Sequence, residues 1–285
     1  IELAPGRYEL WWEQLREPCG EVVWLVQGSE LPRDNRLAIV GWACYPQPLQ
    51  RLERLFLSAM QAGVYVHVWG WQEPYIAHTW RKIRGLRRRT RGLPPSIGYV
   101  LQVDYGDSMI LAPEREILER LQEIGQLVMG CEDPCAPNSG PAWETRFTTG
   151  PHRYPNSGCW GGRREDVLAA LDVIMAMRAD YDAHGWPEWA GQPRPRNDQF
   201  LWHIALIERR VDVWLDHEWR FVAHLIRAHA QPDRTNAVRV EHGRLVTPEG
   251  HRPVVVHWPG GGKRHMHLWD ALLQPVPYDV LEVSP

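Results

Sequence analysis

The chain has 285 residues, 44% hydrophobic and 24% charged, which is the ordinary composition of a folded globular protein. Its formal net charge of −3 argues against a generally basic nucleic-acid-binding protein, although 32 basic and 35 acidic residues leave room for local patches. The uncharged apolar runs are far shorter than the roughly 18 residues that a membrane helix needs. We therefore expect a soluble protein with no membrane partner, located in the cytoplasm.

Residues 1–36 are predicted to form an N-terminal extension, and residues 37–285 one domain in which buried strands alternate with amphipathic helices. The predicted strands cover 37–44, 64–68, 97–103, 126–130 and 254–257. The predicted helices cover 49–62, 74–91 and 163–178, with two more that begin near Pro113 and Asp198. This alternation predicts an α/β fold, a mostly parallel sheet flanked by helices on both faces. Such sheets bind ligands beyond the carboxyl ends of their strands, here just after Cys44, Trp69, Val103 and Gly130.

Two carboxylates follow the third predicted strand in the segment Asp104-Tyr105-Gly106-Asp107. Oxygen ligands in ones and twos, completed by substrate phosphates, commonly hold Mg²⁺ or Mn²⁺ over a diphosphate. Asp and Gly are also favoured in any turn after a strand, so the pair taken alone is compatible with an ordinary turn. The spacing indicates a metal site only if other segments support it.

Three further segments carry polar residues at the ends of predicted elements. A small polar loop at 154–162 contains Asn156 and leads into the helix at 163–178. Asn197-Asp198-Gln199 opens another helix, where Asp198 would serve as an N-cap. The strand at 254–257 runs through His257 into a glycine loop that ends at Lys263. Taken singly, each segment has an ordinary structural explanation.

Taken in order, these segments resemble the glycosyltransferase domain of procollagen lysyl hydroxylases, which has the nucleotide-sugar transferase fold called GT-A. The resemblance spans roughly residues 37–263 and includes Trp80-Arg81-Lys82-Ile83-Arg84 before the paired aspartates. The matching motifs are Asp104-Tyr105-Gly106-Asp107, Asn156 to Gly161, Asp198-Gln199-Phe200-Leu201, Leu215-Asp216-His217 and Val255 to Lys263.

The resemblance implies a divalent cation, Mn²⁺ or Mg²⁺, held by Asp104, Asp107 and His257 while it bridges the diphosphate of a UDP-sugar. It also implies a donor site in which Tyr105 packs on the uridine or the ribose. The remaining donor contacts come from the two matched lysine segments, namely Lys82, Gly261 and Lys263.

On the acceptor side, the resemblance implies that Asn156 and Asp198 lie beside the sugar. Asp198 is the carboxylate expected to orient or deprotonate the attacking hydroxyl. The chain departs from the family here, because the family's run of aspartates is reduced to Asn197-Asp198. Nothing in the sequence resembles the iron-dependent hydroxylase domain of those proteins.

Seven cations occupy the eleven residues from Arg81 to Arg91. They could form a solvated helix face, contact the donor diphosphate, or clamp a polyanionic acceptor, since Arg is the preferred partner of phosphate. A hydroxymethylated pyrimidine of DNA, such as 5-hydroxymethylcytosine, is the first acceptor we consider. Trp69, Trp71 and Trp80 could then stack on an extruded base. The arginines concerned are Arg81, Arg84, Arg87, Arg88, Arg89 and Arg91.

Two alternatives stay open. One is an acceptor of the family's own class, a hydroxylysine or another hydroxyl group on a protein. The other is an inactive module that only binds a nucleotide sugar, although such a module has no physical need for a complete metal site.

Overall fold

A six-stranded sheet lies at the centre of the protein, in the order β4-β3-β5-β8-β7-β9. The computed structural model describes residues 9–15, 21–27, 36–42, 50–62, 64–69, 80–135, 145–147, 150–190, 197–226 and 238–269. The strands of this sheet are β3 (Leu37–Trp42), β4 (Tyr65–Trp69), β5 (Tyr99–Val103), β7 (Leu127–Glu132), β8 (Tyr154–Arg163) and β9 (Val213–Asp216).

Three of the five strand pairings are parallel, namely β3 with β4, β3 with β5, and β7 with β9. β8 is the exception, because it runs antiparallel to both of its neighbours, β5 and β7. The helices are α1 (Gln50–Gln61), α2 (Trp80–Gly92), α3 (Glu114–Ile124), α4 (Arg164–His184) and α5 (Asp198–Ile207).

Both faces of the sheet are covered, and alternate residues of β3 show this directly. Ala38 and Val40 belong to one apolar cluster, with buried residues of α2, α4 and α5. Leu37 and Ile39 belong to the other, with buried residues of α1 and α3. A strand buried on both faces reads as a continuous apolar run, which is why the sequence predicts β3. The predicted α/β class, with a mostly parallel sheet between two layers of helices, is confirmed, and it is consistent with a GT-A fold.

A second, three-stranded sheet contributes to the site. Its order is β10-β13-β6, formed by β6 (Ser108–Ile110), β10 (Val222–His224) and β13 (Val255–His257). β10 and β13 are parallel, and β6 is antiparallel to β13. Two antiparallel pairs complete the described strands, β1 (Glu9–Leu15) with β2 (Glu21–Gln27) and β11 (Arg239–Glu241) with β12 (Arg244–Val246). The boundary after residue 36 stays a prediction.

One prediction about local structure is wrong. The segment 154–162 is not a loop but most of β8, and α4 begins only at Arg164. β8 contains Pro155, Asn156 and Ser157, which have low strand propensity, yet these residues are buried. The strand forms because its backbone pairs on both sides with β5 and β7, so tertiary context overrides local propensity.

Among the described helices, none combines the length and the apolar character that crossing a membrane requires.

Candidate active site

Three side chains with metal-ligating atoms meet where the two sheets adjoin. Asp104 follows β5, Asp107 precedes β6, and His257 ends β13. One ligand atom from each lies within 4.8 Å of the others. His257 Nε2 is 3.6 Å from Asp107 Oδ1 and 3.9 Å from Asp104 Oδ2. The structure therefore brings together the three residues that the sequence nominates for the metal.

Backbone hydrogen bonds hold these segments in place. The Asp104 N–H donates to the carbonyl of Gly158 in β8 at 2.6 Å, and the Trp258 N–H donates to the carbonyl of Asp107 at 2.8 Å. Gly158 also lies against the ring of His257, because a Cβ at this position would come within 2.1 Å of His257 Cε1. A larger residue in β8 would thus displace the histidine.

The three residues fit a divalent cation of the Mg²⁺ or Mn²⁺ type. The two carboxylates are the oxygen donors that such ions prefer, and the imidazole supplies one nitrogen donor beside them. His257 Nε2 faces both carboxylates, is buried and has no hydrogen-bond partner among the described residues. Asp107 is 2% exposed, and burying a carboxylate close to another one is costly unless positive charge is near.

Lys82 connects this cluster to Asp198, the predicted catalytic carboxylate. Its Nζ lies 2.6 Å from Asp104 Oδ1, 3.0 Å from Asp198 Oδ2 and 3.4 Å from the carbonyl oxygen of Ser157. Burial opposes the charge on this ammonium, but the two carboxylates outweigh it and raise the pKa of Lys82 above its ordinary value. Lys82 therefore stays charged between Asp104 and Asp198.

Asp198 itself opens α5 but does not cap it. The capping atom is Oδ1 of Asn197, which accepts the N–H of Gln199 at 2.8 Å. The side chain of Asp198 is thus free of the helix terminus and turns to Lys82. The predicted N-cap role of Asp198 is therefore wrong, and Asn197 has that role.

Glu132, at the end of β7, is a site residue that the sequence reasoning missed. It is 3% exposed, and its Oε1 accepts a hydrogen bond from Gln199 Nε2 at 3.1 Å. Burial raises the pKa of Glu132, against the opposing hydrogen bonds from Asn156 and Gln199 and the charge of His257. Its position in the sequence could have identified it, because Glu132 lies just beyond Gly130, at the sheet edge where ligands were expected.

Asn156 lies in β8 between the metal cluster and Glu132. Its Oδ1 accepts the N–H of Gly158 at 2.7 Å, and its side chain hydrogen-bonds Glu132. Gln199 Oε1 accepts the N–H of the next residue, Ser157, at 3.2 Å. These contacts form a buried polar layer along β8, directly beside the three candidate metal ligands.

His224 is a second residue absent from the predicted site. Its Nδ1 lies 2.9 Å from Nδ1 of His257, and both side chains are buried. Burial lowers the pKa of His224 well below its ordinary value, and the neighbouring His257 lowers it further. His224 is therefore a neutral imidazole.

The other predicted residues are placed as follows. Tyr105 is 8% exposed and packs in the apolar cluster with α1 and α3, so its donor contact stays a prediction. Gly261 and Lys263 lie in the 3₁₀ helix Gly260–Leu268, which follows β13, and their predicted donor contacts stay predictions. Asp216, in the Leu-Asp-His motif, accepts hydrogen bonds from the N–H groups of Arg220, Phe221 and Val222. This motif thus has a structural role, since it orders the turn that leads into β10.

The chain matches no protein-family model and no curated protein. Among solved structures, it is similar to a glycosyltransferase involved in the glycosylation of the major capsid of PBCV-1. The sequence identity is 12%, the alignment covers 81% of this chain and 98% of that chain, and the TM-score is 0.48. The functional argument therefore rests on the site.

Proposed function

We propose that the chain is a metal-dependent glycosyltransferase that moves a sugar from a UDP-sugar to a hydroxyl acceptor. The observation that carries this proposal is the convergence of Asp104, Asp107 and His257 beside the buried pair of Lys82 and Asp198. The motifs that resemble the glycosyltransferase domain of procollagen lysyl hydroxylases supply the donor class.

The charges of the site support a divalent cation. Three carboxylates, Asp104, Asp107 and Asp198, and one ammonium, Lys82, leave a formal net charge of −2. Asp104, Asp107 and His257 would hold a cation of charge +2, Mn²⁺ or Mg²⁺. When bound, such an ion neutralises the negative charge that develops on a departing diphosphate. Lys82 orients Asp104 by its contact at 2.6 Å.

Two buried carboxylates are candidates to activate the attacking hydroxyl. Asp198 Oδ2 lies 3.0 Å from Lys82 Nζ, and a carboxylate fixed in this way suits a residue that orients a hydroxyl through a hydrogen bond. Glu132 has a raised pKa, and a carboxylate with a raised pKa is the better proton acceptor near neutral pH. Asn156 contacts Glu132 and would position the sugar or the acceptor beside it.

The arginines of α2 support a polyanionic acceptor, with hydroxymethylated DNA as the lead candidate. Four of them are exposed, at spacings of three, four and three residues, so they share one face of the helix. This arginine stripe begins next to Lys82 and extends for about 15 Å, at a helical rise of about 1.5 Å per residue. It consists of Arg81, Arg84, Arg88 and Arg91.

Three of the predicted nucleic-acid contacts make other contacts in the structure, and one of them, Arg91, belongs to the arginine stripe. Arg87 and Arg91 both pair with Asp172 of α4. Trp69 is 3% exposed and packs against Gly85 of α2, so it is not available to stack on a base. Trp71 lies outside the described residues, and only the backbone of Trp80 is described. The arginine stripe, rather than the tryptophans, thus carries the acceptor hypothesis.

The experiment that tests the proposed function measures UDP release from a panel of UDP-sugars, with and without Mn²⁺. Hydroxymethylated DNA, unmodified DNA and hydroxylysine peptides serve as acceptors. Mn²⁺-dependent UDP release together with sugar on the hydroxymethylated DNA supports DNA as the acceptor. Transfer of sugar to the peptide alone would show that the acceptor is a protein hydroxyl group instead. Binding of UDP without release under any condition would identify an inactive nucleotide-sugar-binding module.

A further inference from the structure

Two histidines lie side by side at the ends of adjacent parallel strands. His224 ends β10 and His257 ends β13, and the strand register pairs these two residues directly. Their Nδ1 atoms are 2.9 Å apart, and the rings meet at 75°. Both side chains are essentially inaccessible to solvent, at 0% and 1% exposure. This contact is therefore a buried hydrogen bond between two imidazoles.

A hydrogen bond of this kind needs one donor and one acceptor. A neutral imidazole carries its proton on one ring nitrogen and a lone pair on the other. If His257 Nε2 is to offer a lone pair to a cation, the proton of His257 must be on Nδ1. The Nδ1 of His257 then donates, and the Nδ1 of His224 accepts.

We infer that His224 is the positioning residue of the metal site, which holds His257 in the tautomer that directs the Nε2 lone pair at the two aspartates. Residues that hydrogen-bond the non-coordinating nitrogen of a metal-ligating histidine fix both its tautomer and the orientation of its ring. This inference rests on the metal site of the proposed function and adds a residue that does not touch the ion.

The surroundings of His224 favour this role over simple packing. Among the described residues, its Nε2 has no hydrogen-bond partner, so the contact with His257 is the polar interaction that the ring makes. Gly130 of β7 makes room for the ring, because a Cβ there would lie 2.2 Å from His224 Nε2. An apolar side chain would fill this niche without burying a polar nitrogen. The imidazole is thus costly unless His257 needs an acceptor there.

The first test measures Mn²⁺ affinity by calorimetric titration, without donor or acceptor. His224→Leu removes the acceptor and should weaken Mn²⁺ binding by about 10- to 100-fold, the usual effect of losing a group that supports a metal ligand. His224→Asn places a carboxamide oxygen where Nδ1 lies, so its affinity should stay close to that of the wild type. His67→Leu, which removes an imidazole of the edge strand β4, is the matched control and should leave the affinity unchanged.

The second test reads the tautomers directly in wild-type protein with ¹⁵N-labelled histidine and bound Mg²⁺. We expect His257 to be protonated at Nδ1 and His224 at Nε2. This measurement needs no variant, so it stands even if His224→Leu fails to fold.

The outcomes separate this inference from the proposed function. If the wild type binds no divalent cation, the metal site is wrong and the role of His224 falls with it. If the wild type binds Mn²⁺ and His224→Leu binds it equally well, the metal site stands and the role of His224 is overturned. Protonation of His257 at Nε2 in the Mg²⁺-bound protein would overturn it as well.

Discussion

Lys82 Nζ lies 3.0 Å from Asp198 Oδ2, and both side chains are buried. This ion pair joins the first turn of α2 to the first residue of α5, and the same ammonium reaches Asp104 on the other side. The carboxylate proposed to bind the metal and the carboxylate proposed for the acceptor side thus share the ammonium of Lys82. Changes at Asp198 and Asp104 are therefore expected to be coupled.

Replacing Lys82 by Met should destabilise the protein by about 3–5 kcal/mol, since it leaves a buried carboxylate without its counter-charge. Chemical unfolding in the presence of a chelator measures this loss. Adding Asp198→Asn to Lys82→Met should recover part of the stability, because the two residues act as a pair. Equal stability of the wild type and the single variant would contradict the buried ion pair.

Asp107→Asn should lower Mn²⁺-dependent turnover by more than about 100-fold. Loss of a group that only supports a metal ligand lowers metal affinity or activity by about 10- to 100-fold, and loss of a ligand itself should lower it further. Asn rather than Ala is the better replacement, because Asp107 is only 2% exposed and its volume must be kept. Without metal, the variant should unfold no more easily than the wild type, because it removes a negative charge near Asp104. Full activity of the wild type in excess chelator would rule out the metal site.

Asp198→Asn should reduce turnover strongly while UDP affinity stays near that of the wild type, the result expected for an interaction made mainly in the transition state. Glu132→Gln, measured in parallel, distinguishes the two acceptor-side carboxylates: the general base is the residue whose removal flattens the pH dependence of turnover. A collapse of UDP affinity in Asp198→Asn would assign Asp198 to the donor side instead.

Glu132 should also make stability depend on pH. A carboxyl group whose pKa is raised on folding binds more protons in the folded state than in the unfolded state. The stability that depends on this group is present below its ordinary pKa of 4.5 and is lost as the pH rises through the raised pKa. Glu132→Gln should therefore be more stable than the wild type at neutral pH, and this gain should shrink in acid. Urea unfolding from acid to neutral pH measures the difference in stability between Glu132→Gln and the wild type. Glu119→Gln, on the surface of α3, is the control.

Neutralising Arg81 and Arg84 should weaken DNA binding in a salt-dependent way. If each contacts one phosphate, the double change to Gln should reduce the log–log slope of affinity against salt by about 1.8, at about 0.9 per phosphate on duplex DNA. UDP-sugar hydrolysis without acceptor should not change. Arg115→Gln, an exposed arginine on α3 of the opposite helical layer, is the control and should leave the slope unaltered. An unchanged slope in the double variant would show that Arg81 and Arg84 do not contact DNA phosphates.

The sequence predicts β3, because a strand buried on both faces has a continuous run of apolar residues. It also nominates Asp104 and Asp107, which follow β5 at the ligand edge, while His257 is nominated through the family resemblance. It does not predict the inward direction of Lys82 within a run of cations, which depends on α2 burying the face of Ile83 and Leu86. His224 was missed because only the pairing of distant strands brings it to the site, whereas Glu132 was missed although it lies just beyond Gly130 at the expected ligand edge.

β8 is the strand through which the two halves of the described central sheet are joined, with β4-β3-β5 on one side and β7-β9 on the other. Asp104 belongs to the first half and Glu132 to the second, while Asn156 lies in β8 itself. A ligand that contacts both halves would therefore oppose separation of β8 from β5 or β7. Amide hydrogen exchange in β8 should slow on addition of Mn²⁺ and UDP, and it should slow more than exchange in the outer strand β4.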